Sequence, residues 1–310
     1  MVTRVTTPGN YSAVLTNLLA AQQRQMEAGN KVSTQRNGND LKDYAKSSEL
    51  LTAMRSVQSR LSVFQDQSKV LSDKLSTQDS GLNRVADAAQ QIRQIMAEAL
   101  ATGRADTLVE DIQAQMSNAV EGMNSRYGGK YLFAGGQVDT QPVTATQLSD
   151  LTAAPAIIAN FFKNDNFQVQ AKLDESTTVT TGIKADDIGT GMLTALQTFE
   201  SFNQSGAGPF TGPLTAAQTT FLQGQLASWE TVRSDVTQIA AHNGTNQARL
   251  DTVAADLTTR QNSLAGMLGD ITDADMAEAS TQLQQAQLSV QSSAYVFQSL
   301  KDSSLLNFLR

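Results

Sequence analysis

The residues from Leu50 to Ala99 carry an apolar row that repeats by alternate steps of four and three residues. Ser68 and Gln78 interrupt this row, and the stretch contains no proline. Residues spaced by about 3.5 positions stay on one face of an α-helix, so the pattern predicts one long helix with a single apolar seam. At about 1.5 Å per residue such a helix would be roughly 75 Å long, and it needs a partner that covers its seam.

A second apolar row, from Trp229 to Ile271, has the same rhythm and can provide that partner. The two rows are distant in sequence, so their pairing predicts a long antiparallel coiled-coil rod built from both ends of the chain. Asn243 and Asn246 fall on the second row, where polar residues commonly fix the register of a coiled coil. The seam residues that we predict are Leu61, Phe64, Leu71, Leu75 and Leu82 in the first row, and Val236, Leu250, Val253 and Leu257 in the second.

The prolines lie near the start of the chain and in its middle, which leaves two long arms without proline. Because proline interrupts helices, the arms are predicted to be helical and the middle is not. The first arm is expected to begin with a helix from Asn10 to Ala28 that Gly29 stops, followed by a polar linker at Gln35–Asp40. The prolines are Pro8, Pro142, Pro155, Pro209 and Pro213.

The middle of the chain has a different pattern. Paired glycines flank an aromatic run between Tyr127 and Val143, which predicts a β-hairpin, whereas the glycine and lysine spacing of a phosphate-binding loop is missing. From Thr144 to Gly208, short alternating stretches and one helical stretch predict a small α+β insert whose strands can close a core of their own. The predicted fold is therefore mainly α, a rod with a small insert, in three domains: residues 1–44 with 272–310 as a terminal coiled coil, 45–143 with 209–271 as a helical rod with a β-hairpin, and 144–208 as the outer insert.

A last helix is expected after Ile271, capped by Thr272 or Asp273, and its apolar row continues to the end of the chain. Chain ends are usually polar and frayed, so an end this apolar is expected to be buried. Nothing in the same subunit obviously covers it, which predicts burial between subunits. The predicted assembly-interface residues are Leu15, Leu18, Leu283, Val290, Phe297, Leu300, Leu305 and Phe308.

The composition argues against enzymatic chemistry. There is no cysteine, and the single histidine, His242, leaves few options for a metal site or a catalytic triad. The carboxylates of Asp273, Asp275 and Glu278 suit the first turn of a helix better than a metal site. We therefore expect no enzyme activity, no catalytic residue, no cofactor and no metal.

Charge and hydropathy restrict the partners and the location. The net charge of −7 argues against binding to a nucleic-acid backbone, which requires clustered Lys and Arg. No apolar run is long enough to span a membrane, and the first residues do not resemble a secretory leader. If the protein leaves the cell, we expect a route without a cleaved signal peptide.

Three stretches of the sequence resemble the bacterial flagellin superfamily. Lys31–Thr34 is similar to its N-terminal motif, and Ile271–Glu278 with the helix that follows is similar to its C-terminal region. Tyr131–Thr140 resembles the run that marks the branch at the junction of hook and filament rather than the filament flagellins. The chain departs from the family at Gln35, where a glycine is usual, and it lacks the Asp-Asp-Pro that normally follows.

The resemblance implies a structural component of the flagellum, an adaptor that joins hook to filament. Such a protein would be exported unfolded through the flagellar type III apparatus and would assemble outside the cell as an annular structure through its terminal helices. The implied partners are neighbouring copies of the chain, another hook-associated protein, hook protein and flagellin, with an export chaperone for the C-terminal helix. Two alternatives remain open at this point: a flagellin that builds the filament itself, and a secreted coiled-coil effector or enzyme with its activity in the insert.

Overall fold

The computed structural model describes the backbone of residues 6–306 and the side chains of residues 11–301. The class predicted from the sequence, mainly α with long helices from both arms and a small α+β insert, is confirmed. Short 3₁₀ turns lie at Leu41–Tyr44 and Ile158–Phe161. Within the described range the elements are α1 (Thr6–Thr34), α2 (Ser48–Thr102), α3 (Leu108–Met123), β1 (Arg126–Tyr127), β2 (Lys130–Tyr131), α4 (Leu148–Thr152), β3 (Gln170–Lys172), β4 (Thr178–Thr180), α5 (Ala185–Asn203), α6 (Ala216–Thr272) and α7 (Met276–Leu306).

The described chain divides into two compact units. The terminal unit combines the described residues up to Ser62 with those from Thr259 onward, and the central unit contains Val63–Thr258. Each unit has buried apolar side chains of its own, among them Leu51 in the terminal unit and Trp229 in the central unit.

In the terminal unit, α1 lies antiparallel along α7. The aromatic rings of Tyr11 and Phe297 are in contact, and a Cβ atom built at Gly29 would lie 4.0 Å from Cδ1 of Leu283. The expectation that Gly29 stops the first helix is wrong, because α1 continues to Thr34. A glycine inside a helix costs only about 1 kcal/mol, and packing against α7 outweighs that cost.

The start of α7 also differs from the expectation. Thr272 is the last residue of α6, and neither it nor Asp273 caps α7. The cap is Asp275, whose Oδ1 atom accepts hydrogen bonds from the backbone N–H groups of Ala277 (2.8 Å) and Glu278 (3.2 Å). A carboxylate in this position satisfies backbone donors that have no partner inside the helix.

The apolar row of α2 is displaced at its N-terminal end. Leu50 and Val57, which the sequence pattern places on the seam, are 53% and 37% exposed, although Met54 of the same row is 9% exposed. Leu51, which lies outside the row, is 0% exposed. A helix with 3.6 residues per turn drifts by about 20° per heptad from a strict seven-residue repeat. The drift accumulates along α2. An apolar row that follows the buried face in the middle of the helix therefore no longer follows it at the N-terminal end.

The central unit has one main core to which the insert contributes directly. Ile92 and Met96 of α2, Ile112 of α3, Phe199 of α5 and Trp229 of α6 are all fully buried in the same cluster. The expectation that the insert closes a core of its own is therefore wrong. The short strands are too few to bury the apolar face of α5, and the long helices cover it instead.

The predicted β-hairpin is present in the central unit, together with a second hairpin in the insert, which the sequence indicated only as short strands. Strands β1 and β2 pair antiparallel, with Tyr127 opposite Lys130, and Gly128 and Gly129 between them have positive φ angles of 57° and 81°. A two-residue turn of this kind requires such angles and favours glycine. Strands β3 and β4 also pair antiparallel, with Ala171 opposite Val179.

The run that follows Lys130 is a structural part of the core. Tyr131, Leu132, Phe133 and Ala134 are all buried. Gly135 then turns the chain with a φ angle of 68°, and a Cβ atom at this position would collide with the carboxylate of Asp165. The sequence of this run is thus dictated by packing and by one tight turn.

Four of the predicted seam residues, Leu71, Leu75, Leu250 and Val253, lie where α2, α6 and the β3–β4 hairpin meet. Leu75 and Leu250 are each 1% exposed and form a small cluster with Leu173 and Val179 of the hairpin. The side chains of Leu82, Val236 and Leu257 are buried, whereas those of Leu61, Phe64, Leu71 and Val253 are half-buried.

Side-chain amides cross this seam. The Nδ2 of Asn243 and the Nε2 of Gln247 both donate to the backbone oxygen of Leu75, over 2.9 and 3.0 Å. Gln78 donates to the oxygen of Thr181 (3.3 Å), and Asn246 to that of Thr180 (3.0 Å). One set of bonds joins the two long helices and the other fastens the hairpin to them.

Candidate assembly interface

The inner faces of α1 and α7 are built largely from small side chains. Ala21 and Ala28 of α1 are 1% and 5% exposed, and Ala279 and Ala286 of α7 are 3% and 7% exposed. Both pairs are separated by seven residues, which places each pair on one helix face. Small residues at these positions let the two backbones approach closely.

The predicted interface residues of α7 lie on the face that meets α1. Leu283, Val290 and Phe297 recur every seven residues, and all three are half-buried, as is Leu300. The aromatic rings of Phe297 and Tyr11 lie 4.9 Å apart between centroids. The expectation that this stripe has no partner in its own subunit is therefore wrong, because α1 is that partner.

The remaining predicted interface residues have mixed positions. Leu15 is 39% exposed and Leu18 is half-buried on α1. The side chain of Leu305 and all of Phe308 lie outside the part of the chain that the structure describes.

A second apolar row on α1 faces away from α7. Its members are spaced by four and seven residues and so lie on one helix face. They are Leu15, Leu19 and Met26, with exposed fractions of 39%, 57% and 64%. A helix in a two-helix pair needs one apolar row, so this second row indicates a further contact.

Helix α7 likewise exposes apolar side chains. Leu288 and Tyr295, seven residues apart, are 63% and 77% exposed. The sequence prediction of the interface omitted Leu19, Met26, Leu288 and Tyr295, because it followed one row per helix. The signal that could have identified them is the presence of two rows on α1 and of large apolar residues between polar ones on α7.

The paired helices carry an unusually neutral stretch. Residues 5–23 and residues 279–300 contain no Asp, Glu, Lys or Arg, although charged residues make up 17% of the chain. The antiparallel pairing of α1 and α7 places these two stretches side by side. A surface without charges can be buried against a neighbour without leaving an unpaired charge in the contact.

The segments 35–44 and 272–274 form a joint, which connects the N-terminal and C-terminal arms next to the α1–α7 pair. The backbone N–H of Ala274 donates to the oxygen of Gln35 (3.0 Å), and the N–H of Asn37 donates to the oxygen of Thr272 (2.8 Å). The Nδ2 of Asn37 adds a bond of 2.8 Å to the oxygen of Asp273. The segment that the sequence favoured as a plain linker is therefore an ordered connection between the N-terminal and C-terminal arms.

Two further groups stabilise the joint. The hydroxyl of Tyr44 lies 2.9 Å from both the backbone nitrogen and the backbone oxygen of Gly38. The carboxylate of Asp43 accepts hydrogen bonds from the N–H groups of Asp40 and Asn39, which hold the pKa of Asp43 below its usual value.

Gln35 occupies a conformation that favours glycine. Its φ angle is 58°, in the left-handed region, directly after the last residue of α1. Helices commonly end with a glycine in this conformation because any Cβ atom is crowded there. The glutamine in the motif where the superfamily usually has glycine thus carries local strain.

The described residues contain neither a candidate metal site nor a candidate membrane-spanning helix. No group of three or more His, Cys, Asp or Glu among them is placed to hold a metal ion, and His242 is exposed on α6. None of the helices in the described range combines the length and apolar character that crossing a membrane requires.

Comparisons with known proteins identify both arms. The model of the bacterial flagellin N-terminal helical region matches residues 5–138, and the model of the bacterial flagellin C-terminal helical region matches residues 226–309. A search of curated proteins gave no match.

Solved structures show the same fold at low sequence identity. A Vibrio parahaemolyticus protein described as a flagellar hook-associated protein has a TM-score of 0.61 at 15% identity, over 74% of this chain and 100% of that one. FlgL of Bacillus cereus has a TM-score of 0.53 at 13% identity, over 71% and 99% of the two chains. FlgL of Xanthomonas campestris has a TM-score of 0.51 at 12% identity, over 69% and 98%.

The two family models together cover well over half of the sequence and fall on the two helical arms that pair in the structure. This chain belongs to the bacterial flagellin family.

Proposed function

We propose that this protein is a structural adaptor of the bacterial flagellum that joins the hook to the filament. The observation that carries the proposal is the pair of terminal helices, α1 and α7, which is already closed within one subunit and still exposes apolar rows. The rows are Leu15, Leu19 and Met26 on α1 and Leu288 and Tyr295 on α7. Exposed apolar surface on a helix pair with long stretches free of charged residues is suited to contact with other copies in an annular assembly.

Two observations favour a junction protein over a filament flagellin. The run Tyr131–Thr140 resembles the junction branch, and its buried first part packs into the central core together with α5 of the insert. Three solved structures with this fold are described as a flagellar hook-associated protein or FlgL, and this chain covers 98–100% of their length. These descriptions support the same role here.

The proposal includes the partners and the location. The neighbours are other copies of the chain, hook protein, another hook-associated protein and flagellin, and the site of action is the extracellular flagellum. Export proceeds through the flagellar type III apparatus, with a chaperone covering the C-terminal helix until assembly. The proposed role is structural and needs no catalysis, cofactor or metal.

The division into three domains is part of the proposal. Residues 1–44 with 272–310 form the inner assembly domain, residues 45–143 with 209–271 the helical rod, and residues 144–208 the outward part. In this division the assembly contacts come from the terminal domain, whereas the shared core of the central unit keeps the other two domains together.

Electron microscopy of a deletion strain tests the proposal. Cells without the chain are expected to carry hooks without filaments and to release flagellin into the medium, and a plasmid copy should restore filaments. Filaments that remain attached in the deletion strain would contradict the adaptor role. Loss of filaments together with the absence of free flagellin would instead identify the chain as the filament flagellin.

A further inference from the structure

A polar groove runs along one side of the terminal unit. One part, of about 250 Å³, lies between α1 and α7 and is lined by Arg24, Glu27 and Lys31. A second part, of about 370 Å³, continues past Lys31 to Arg36 and Asp43 beside the joint. Both parts share Glu27 and Lys31, so the groove is continuous.

The cations of this groove lack partners of opposite charge, whereas its carboxylates are engaged. Within the described residues no carboxylate lies in ion-pair distance of Lys31 or Arg36. In contrast, Glu27 accepts a bond from the side chain of Gln23, and Asp43 accepts two backbone bonds. These bonds come from neutral groups and leave both carboxylates charged, but Arg24, Lys31 and Arg36 outnumber them, so the groove carries a net positive charge.

The segment from Asp270 to Glu278 has the opposite character. It contains four carboxylates in nine residues and no Lys or Arg. Among the residues that the structure describes, none of the four forms an ion pair. Asp275 caps α7, Asp273 accepts a bond from the hydroxyl of Thr272, and Glu278 accepts one from the side chain of Gln282. All of these donors are neutral, so the segment keeps its negative charge.

The acidic segment cannot enter the groove of its own subunit. Its backbone is tied to the joint by the bonds from Ala274 to Gln35 and from Asn37 to Thr272. Arg36 and Asp273 face each other across this backbone bridge, yet their side chains do not pair. Each subunit therefore presents an unpaired positive groove and an unpaired negative segment in the same unit.

From this charge complementarity we propose that the groove lined by Arg24, Lys31 and Arg36 receives the Asp270–Glu278 segment of a second copy of the chain. The inference rests on the proposed function and names the contact between neighbours. A groove of one copy that binds a different surface of the next copy is a heterologous contact, and such contacts repeat around an annular assembly. The charges would determine the order and orientation of the copies, while the apolar rows would provide the apolar surface that is buried between them.

Charge reversal provides the test. One variant reverses the groove with Lys31→Glu and Arg36→Glu, and the other reverses the segment with Asp270→Lys and Glu278→Lys. Each is expressed in the deletion strain, and attached filaments are counted by electron microscopy. A control with Lys163→Glu and Lys172→Glu, both exposed in the central unit, makes the same change in net charge as the groove variant.

Each reversed variant alone is expected to reduce attached filaments by about tenfold or more, because like charges then face each other in every contact. Co-expression of the two variants is expected to restore filaments to within about twofold of the wild type, since alternating copies present matched charges at every contact. The purified variants should melt like the wild type, and the control should retain its filaments.

Single variants that retain their filaments would overturn the inference. So would co-expression that performs no better than the single variants, because a defect within one subunit cannot be corrected by a neighbour. Wild-type chain that fails to restore filaments in the same strain would overturn the proposed function itself, which keeps the two failures distinct.

Discussion

The aromatic ring of Tyr11 in α1 lies 4.9 Å from that of Phe297 in α7, with an angle of 45° between their planes. This contact joins the two ends of the chain within one subunit. Tilted aromatic pairs at this distance contribute about 0.5–1.5 kcal/mol beyond the burial of their area. The terminal helices are therefore a pair before they meet another copy, and the contacts between copies must use other faces.

Substitutions at Phe297 and Tyr295 should distinguish the α1–α7 contact within one subunit from the contacts between copies. Phe297→Ala removes a half-buried ring that packs on α1, and we expect it to destabilise the helix pair by about 1–3 kcal/mol. Tyr295 is 77% exposed, so Tyr295→Ala should change the stability of the monomer by no more than about 0.5 kcal/mol. Hydrogen exchange of α7 in the monomer measures the first effect, and retention of filaments in cells measures the second.

In this comparison each variant is the control for the other. Tyr295→Ala is expected to exchange like the wild type as a monomer but to release filaments. Equal exchange rates in the two variants would mean that Phe297 does not pack on α1. Full retention of filaments by Tyr295→Ala would mean that the exposed face of α7 takes no part in the contact between copies.

Gln35→Gly tests the strain at the end of α1. Glycine removes the crowding of a Cβ atom at a φ angle of 58°, which should stabilise the folded state by about 1–2 kcal/mol. Glycine also increases the conformational entropy of the unfolded chain, which should lower the free energy of unfolding by about 0.4–1 kcal/mol. We therefore expect the joint to gain up to about 1 kcal/mol, seen as slower exchange of the N–H groups of Asn37 and Ala274. Gln35→Ala keeps the Cβ atom and is the control, and slower exchange in that variant would show that strain is not the cause.

Asn246 fastens the β3–β4 hairpin to α6 through its 3.0 Å bond to the oxygen of Thr180. Asn246→Ala should lose about 1 kcal/mol, and the loss should appear as faster exchange of the hairpin amides while the helices keep their protection. Thr245→Ala is the matched control, because the Thr245 hydroxyl bonds only within its own helix, to Ala241. Unchanged exchange at Val179 in the Asn246 variant would argue against this attachment.

Removal of the insert should disrupt the central unit. Leu193, Leu196 and Phe199 are each 0% exposed in the shared core, and the burial of each such side chain is worth about 1.5–3 kcal/mol. Replacement of residues 144–208 by a Gly-Ser linker is expected to yield an aggregated or largely unfolded chain by size-exclusion chromatography and circular dichroism. A short Gly-Ser insertion after the exposed Gly206 is the control and should leave the fold intact. A soluble, fully helical deletion variant would mean that the helices close the core without α5.

The sequence was sufficient for the long helices and the first hairpin, because their signals are local. The seven-residue rhythm of α2 and α6 and the glycine pair at Gly128–Gly129 each specify one backbone conformation. The shared core was not predictable, because the burial of Phe199 depends on helices that are distant in sequence. The two chain ends were expected to form one terminal coiled coil, but the row that contains Phe297 was assigned to contacts between subunits, since three-dimensional packing decides which face of α7 meets α1.

The joint shows a further limit of sequence reasoning. Its bonds run between backbone atoms of Gln35, Asn37, Thr272 and Ala274, and backbone pairing leaves no pattern of residue types. Gln35 was visible as a departure from the family motif, but only its φ angle explains why glycine is the usual residue there.

The position of the protein on the flagellum tests the central claim most directly. A short epitope inserted after Gly206, where the chain is exposed, would allow gold labelling of intact flagella for electron microscopy. We expect gold in a single narrow band where the hook meets the filament. Gold along the whole length of the filament would contradict the adaptor role and identify the chain as a filament subunit.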